Sequence, residues 1–167
     1  AVETTATRAQ SLPAETWGGS TAMREPYTQL YVHLVWSTWD RLPVLTDEMR
    51  DTIYRCIQAG CTALNCELIA IGGTDDHIHA LVRLPAVLAI AELVKKIKGS
   101  SSHLVNHSAC GIKDFRWQGA YAAFTLSKDG IPSVSSYIAR QEEHHRLKTT
   151  DKDMEVGWAE PEIHPAG

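Results

Sequence analysis

With 167 residues, 44% of them hydrophobic, the chain has room for one domain around one core and not for two. No apolar run approaches the roughly 20 residues that cross a bilayer, and no basic segment leads into an apolar one at the N-terminus, so a soluble, cytoplasmic setting is expected and a membrane partner is not. The formal net charge of −4 argues against a surface that is basic all over, while leaving room for a local basic patch.

Residues 1–22 are rich in Ala and Thr, include Gly18-Gly19-Ser20 and show no sustained periodicity; they read as a disordered extension before a single domain over 23–148. Leu30, Val32, Leu34 and Trp36 then alternate with Tyr31, His33, Val35 and Ser37, which predicts a first strand ending near Asp40-Arg41-Leu42-Pro43. Thr46 followed by Asp47 and Glu48 marks a helix start. Met49, Ile53, Cys56, Ile57 and Leu64 recur at helical spacing, so that helix should run to about Asn65 with a stripe that needs a sheet to cover. Cys66 to Ile71 predicts a second strand, and the run from Gly72 to Asp76 a turn into a third.

The third strand, Asp76-His77-Ile78-His79-Ala80-Leu81-Val82, carries the first chemical signal. Alternation puts His77 and His79 on one face with Leu81 and Arg83, and Ile78, Ala80, Val82 and Leu84 on the other, which reads as core. Two imidazoles at this spacing can chelate a divalent ion if a third ligand comes from elsewhere. Taken alone, the pair is equally well two histidines on a sheet surface.

Beyond Pro85, Ile90, Leu93, Val94, Ile97, Leu104 and Val105 mark a second amphipathic helix, whose exposed side should include Lys95, Lys96 and Lys98. Those lysines are either a solvated face or phosphate contacts. The pattern breaks at Gly111, and the second half of Trp117 to Leu126 reads as a fourth strand. After the turn Lys128-Asp129-Gly130, Pro132 suits the first position of a third helix running to about Leu147. Tyr137 and Gln141 share one stripe of it, with His144 close by; on an isolated helix these would be packing and surface residues. Cys56, Cys61, Cys66 and Cys110 form no C-x-x-C pair and fall in apolar surroundings, as buried free thiols do. Residues 149–167 form a polar tail.

The order of elements is that of an α+β, ferredoxin-like β-α-β-β-α-β antiparallel sheet with helices on one face and an additional C-terminal helix. The two histidines then belong to the face that the helices leave open.

The stretch from Tyr27 to His145 resembles the single-tyrosine HUH transposases of insertion sequences, the IS200/IS605-like family that includes the REP-associated tyrosine transposases. The resemblance is carried by the opening Tyr27-Thr28-Gln29-Leu30-Tyr31-Val32-His33-Leu34-Val35-Trp36, by Asp76-His77-Ile78-His79, and by Glu92-Leu93-Val94 leading to Lys98 and Ser101-Ser102. Trp117-Gln118, Tyr121 and Phe124 follow in order, and Tyr137-Ile138 with Gln141-Glu142-Glu143-His144-His145 closes the series. The resemblance implies that His77, His79 and Gln141 ligate Mg²⁺ or Mn²⁺ and that Tyr137 is the nucleophile of a DNA endonuclease and strand transferase. It further implies a 5′-phosphotyrosine intermediate on single-stranded DNA with hairpin ends, and a homodimer in which the Tyr137 helix serves its own or its partner's histidines. Lys95, Lys96, Lys98, Arg41 and Arg140 become the expected backbone contacts, and Trp36, Trp39 or Trp117 the expected base platform. After His145 the chain turns acidic, with Asp151, Asp153, Glu155, Glu160 and Glu162, and departs from the family's usual C-terminal region.

Two other readings stay open in the sequence. One is a host-adopted relative that cleaves repeated palindromes without moving its own gene. The other is a non-catalytic module that holds a single nucleic-acid strand on the open sheet, which would require aromatics where this chain has histidines.

Overall fold

Residues 27–108, 112–141, 143 and 147 are described by the structure, a computed structural model. The expectations for 1–22, for 149–167, for Cys110 and for His144 and His145 lie outside the described residues. In chain order the elements are β1 (Tyr31–Ser37), a 3-10 turn (Trp39–Arg41), α1 (Asp47–Ala63), β2 (Glu67–Gly73) and β3 (His77–Arg83). There follow α2 (Ile90–His107), β4 (Ala122–Leu126), a second 3-10 turn (Lys128–Gly130) and α3 (Ile131–Ala139). The strands form one antiparallel sheet in the order β2-β3-β1-β4, the ferredoxin-like arrangement.

One face of the sheet presents Val32, Leu34 and Trp36 of β1 with Ile78, Ala80 and Val82 of β3. Onto it pack Met49, Ile53, Ile57 and Cys61 of α1 and Leu93, Val94, Ile97 and Val105 of α2. Burying an isoleucine or leucine completely stabilises by about 1.5–3 kcal/mol. The Thr46 cap, whose Oγ1 accepts from the Met49 N–H, contributes about 1 kcal/mol. Packing of the apolar stripes therefore holds the helices down, and the cap fixes where α1 begins.

The opposite face is not left open. After β4 the chain turns through Lys128–Gly130 directly into α3, and Val134 and Ile138 lie with Leu81 in a second, smaller apolar cluster edged by Leu126. Gly72 makes this layer possible, and Gly73 the tight hairpin into β3. A Cβ on Gly72 would collide with the backbone oxygen of Ile138, and one on Gly73 with that of His77. Both glycines belong to β2, pairing with His79 and Ile78, so the turn is shorter than the expected Gly72–Asp76 segment. Two helix ends also differ from expectation. Asn65 adopts a left-handed φ of 53° beyond the end of α1 at Ala63. At Arg140 the backbone leaves helical values (φ −110°, ψ 20°), so α3 stops at Ala139 and helical backbone resumes at Gln141.

Candidate active site

The period-two alternation of β1 and β3 delivers His33, Val35, Ser37, His77, His79 and Leu81 to the face under α3. His77 and His79 are both buried, with ring centroids 4.9 Å apart. Val134 and Ile138 anchor α3 on this face, and that docking sets the Tyr137 ring edge-on to His79 with centroids 6.0 Å apart. Gln141 follows and is buried, its Oε1 lying 3.4 Å from His77 Nε2. All four residues belong to one chain.

His77 is gripped from behind. Its Nδ1 lies 2.5 Å from Asp76 Oδ1 and 2.9 Å from Thr74 Oγ1, and the Thr74 hydroxyl donates to Asp76 Oδ1 at 2.9 Å. Arg41 Nε donates to the other Asp76 oxygen at 3.0 Å. Burial works to raise the Asp76 pKa, but the His77 hydrogen bond and charge, the Arg41 guanidinium and the Thr74 hydroxyl outweigh it. The carboxyl is held well below the usual carboxylate range. An ionised Asp76 is an acceptor that would hold a proton on His77 Nδ1 and so leave Nε2, the atom facing Gln141, with a lone pair for a ligand. The loop that brings Arg41 here is strained: Asp40 and Arg41 both have φ above 50°, at a cost of about 1–3 kcal/mol each. Thr38 ties it down, its N–H and its hydroxyl both donating to the Asp76 carbonyl.

His79 has its own neighbour in His33, whose Nε2 lies 2.9 Å from His79 Nδ1, the two rings meeting edge to edge with planes 19° apart and centroids 5.1 Å apart. Burial pushes the His33 pKa down to about 4, so the ring is neutral at pH 7.

The donor set fits a divalent cation. Two ligands on one ion at about 2.1 Å stand about 3.0–3.4 Å apart in octahedral or tetrahedral geometry, which matches His77 Nε2 and Gln141 Oε1. Gln141 Nε2 is buried with no hydrogen-bond partner among the described residues, so no bond seen there fixes the amide with its oxygen turned away from a ligand. No group of three His, Cys, Asp or Glu converges among the described residues, and it is the amide oxygen of Gln141 that lies near His77 Nε2. Two imidazoles and an amide add no negative charge, which leaves the cation's attraction for phosphate undiminished. A groove of about 780 Å³ opens beside Gln141, between the start of α1 and the end of α3, with Arg140 on its wall.

The remaining expected contacts separate. Arg41 and Arg140 lie at the site, although Arg41 is paired with Asp76 and Arg140 bonds back to Ser136 Oγ at 2.9 Å. Lys95 and Lys96 are exposed on α2, on the far side of the sheet from the histidines. Lys98 departs from the exposed face expected of it. Its Nζ donates to the carbonyls of Gln118, Gly119 and Ala120 and staples that loop to α2, and burial lowers its pKa. Trp36 and Trp117 are core residues, the Trp117 indole donating to Ser101 Oγ at 2.9 Å. Trp39 is half exposed, with the Arg116 guanidinium 5.4 Å above its ring. Reading the residues in isolation missed His33, Asp76 and Thr74 as site residues. His33 was within reach, because pairing β1 with β3 puts its alternation on the histidine face.

A family model described as Transposase IS200 like matches residues 26–141. The ISDra2 transposase TnpA of Deinococcus radiodurans is 27% identical over 118 residues, covering 68% of this chain and 84% of that protein. A solved structure described as a transposase of Deinococcus radiodurans R1 superposes with a TM-score of 0.54 at 26% identity, over 71% of this chain and 95% of that one. The structure of a REP-associated tyrosine transposase bound to a REP hairpin superposes with a TM-score of 0.56 at 18% identity, over 73% of this chain and 72% of that one. This last likeness is one of fold.

Proposed function

Because the chain belongs to the IS200-like transposase family, we propose that it is a metal-dependent endonuclease and strand transferase for single-stranded DNA that works through a 5′-phosphotyrosine at Tyr137. The observation that carries this reading is the convergence of Tyr137, His77, His79 and Gln141 on one buried face of one chain. His77 and His79 would hold Mg²⁺ or Mn²⁺ through Nε2, and Gln141 through Oε1. When bound, such an ion neutralises charge on the scissile phosphate and polarises its oxygen.

The protein's own contribution is position and nucleophile. Tyr137 Oη attacks phosphorus; the Oη–P bond forms as the P–O3′ bond breaks, leaving the 5′-phosphate on tyrosine and a free 3′-hydroxyl. The proton lost by the phenol balances the one gained by the 3′-oxygen, so no co-reactant is consumed. Attack by another 3′-hydroxyl reverses the step and joins strands, without ATP. Docking of α3 on its own sheet through Val134 and Ile138 supports a nucleophile that serves its own chain's histidines. In the homodimer implied by the resemblance, each protomer then carries a full site. The hairpin held by a transposase of the same fold supports a hairpin-ended substrate here.

The test is a denaturing gel of the protein with a labelled single-stranded oligonucleotide carrying a hairpin and Mn²⁺. The reading expects a covalent protein–DNA band that EDTA prevents and that duplex DNA does not give. Adducts that form equally well in EDTA would contradict it.

A further inference from the structure

His33 sits in the opening motif of the chain and has no part in the chemistry above. We propose that His33 is a positioning residue for His79: its Nε2 accepts the His79 Nδ1–H and thereby leaves the Nε2 lone pair of His79 to the ion. The inference rests on the metal reading under Proposed function.

The geometry is specific. His33 Nε2 and His79 Nδ1 are 2.9 Å apart, both residues are buried, and their ring planes differ by 19°. His33 lies in β1, paired with Leu81 on one side and Phe124 on the other, and the Phe124 ring backs it with centroids 5.9 Å apart. The strand fixes its Cβ, and these neighbours restrict its swing. A neutral imidazole carries one N–H and one lone pair, so the contact has two possible polarities. If His33 donated, the proton of His79 would sit on Nε2 and block a ligand. Only acceptance by His33 leaves that atom able to bind a cation.

Neutral histidine in water favours the proton on Nε2, so a ligand that coordinates through Nε2 needs an acceptor at Nδ1. His77 obtains one from Asp76, whose charge Arg41 offsets. For His79 the neighbour at this atom is His33. An imidazole here orients the ligand without placing a second carboxylate near a phosphate, whose approach a fixed negative charge would oppose.

Nitrogen-15 long-range correlation spectra of the metal-free protein read the tautomer directly, with the His79 signals identified by their loss in His79→Gln. The proposal expects a protonated Nδ1 and an unprotonated Nε2 on His79, and Mn²⁺ binding weakened about 10–100-fold in His33→Phe. His33→Gln, whose amide oxygen can accept the same bond, should recover most of that loss, which packing alone would not explain. A proton on Nε2 of His79 in the unmodified protein, or a folded His33→Phe that binds Mn²⁺ normally, would overturn the proposal. If His79 carries its proton on Nδ1 and His33→Phe moves it, yet the unmodified protein takes up no Mn²⁺, the positioning role stands and the metal reading fails.

Discussion

His77 Nε2 and Gln141 Oε1 lie 3.4 Å apart although 64 positions separate them in the chain. The contact joins the third strand to the segment beyond α3, and in the metal site proposed above it adds a third ligand to the histidine pair. Replacing Gln141 by Ala removes one neutral oxygen and leaves the fold's apolar clusters intact. Mn²⁺ affinity, read by titration calorimetry, should fall at least about tenfold with little change in the melting temperature. An unchanged affinity would remove Gln141 from the ligand set.

Asp76 orients His77 and is itself held by Arg41. Asp76→Asn keeps the shape, but its amide can present a donor where His77 needs an acceptor, and Arg41 loses its ion pair. Mn²⁺ affinity and single-turnover cleavage should each drop about 10–100-fold. Thr74→Val, which removes a supporting hydroxyl and leaves the carboxylate, should cost less on both measures.

Gly72 has no Cβ where α3 crosses β2, and Ile138 fills that space. Gly72→Ala should destabilise the protein by about 1–3 kcal/mol in urea denaturation, since the helix must lift to admit the methyl group. Lifting α3 also moves Tyr137, so cleavage should fall in protein that remains folded. Wild-type stability and activity in this variant would mean that α3 is not held where it is seen.

Docking of α3 on its own sheet predicts that the site is complete within one chain. An equimolar mixture of Tyr137→Phe and His77→Ala proteins, allowed to exchange subunits, should form no covalent adduct. Recovery toward about a quarter of the normal adduct yield, one working site of two in the half of the dimers that are mixed, would show that Tyr137 works on the partner's histidines.

Much of this was legible in the sequence, because periodicity reports faces directly. The strand alternation assigned Ile78, Ala80 and Val82 to the core and the two histidines to the opposite face, and the structure bears out both. What periodicity lacks is knowledge of which polar groups the interior consumes. Lys98 looked like a member of a solvated lysine face, yet three loop carbonyls left unpaired by the irregular segment after Trp117 claim its ammonium. The same blindness applied to Trp117, whose indole Ser101 accepts inside the core. Arg41 was expected at phosphate, and its bond to Asp76 depends on two consecutive left-handed residues that no propensity scale anticipates. His33 was hidden by the reverse problem, a polar residue inside an apolar strand whose partner lies 46 positions away.

The central claim is that Tyr137 becomes covalently joined to DNA, and mapping the adduct tests it most directly. The protein is incubated with a single-stranded hairpin oligonucleotide and Mn²⁺, digested with protease and nuclease, and the modified peptide is sequenced by mass spectrometry. The account predicts a nucleotide joined through its 5′-phosphate to Tyr137, with a free 3′-hydroxyl on the released strand and no adduct in Tyr137→Phe. A modified peptide that lacks Tyr137, or an adduct of undiminished yield in Tyr137→Phe, would contradict it.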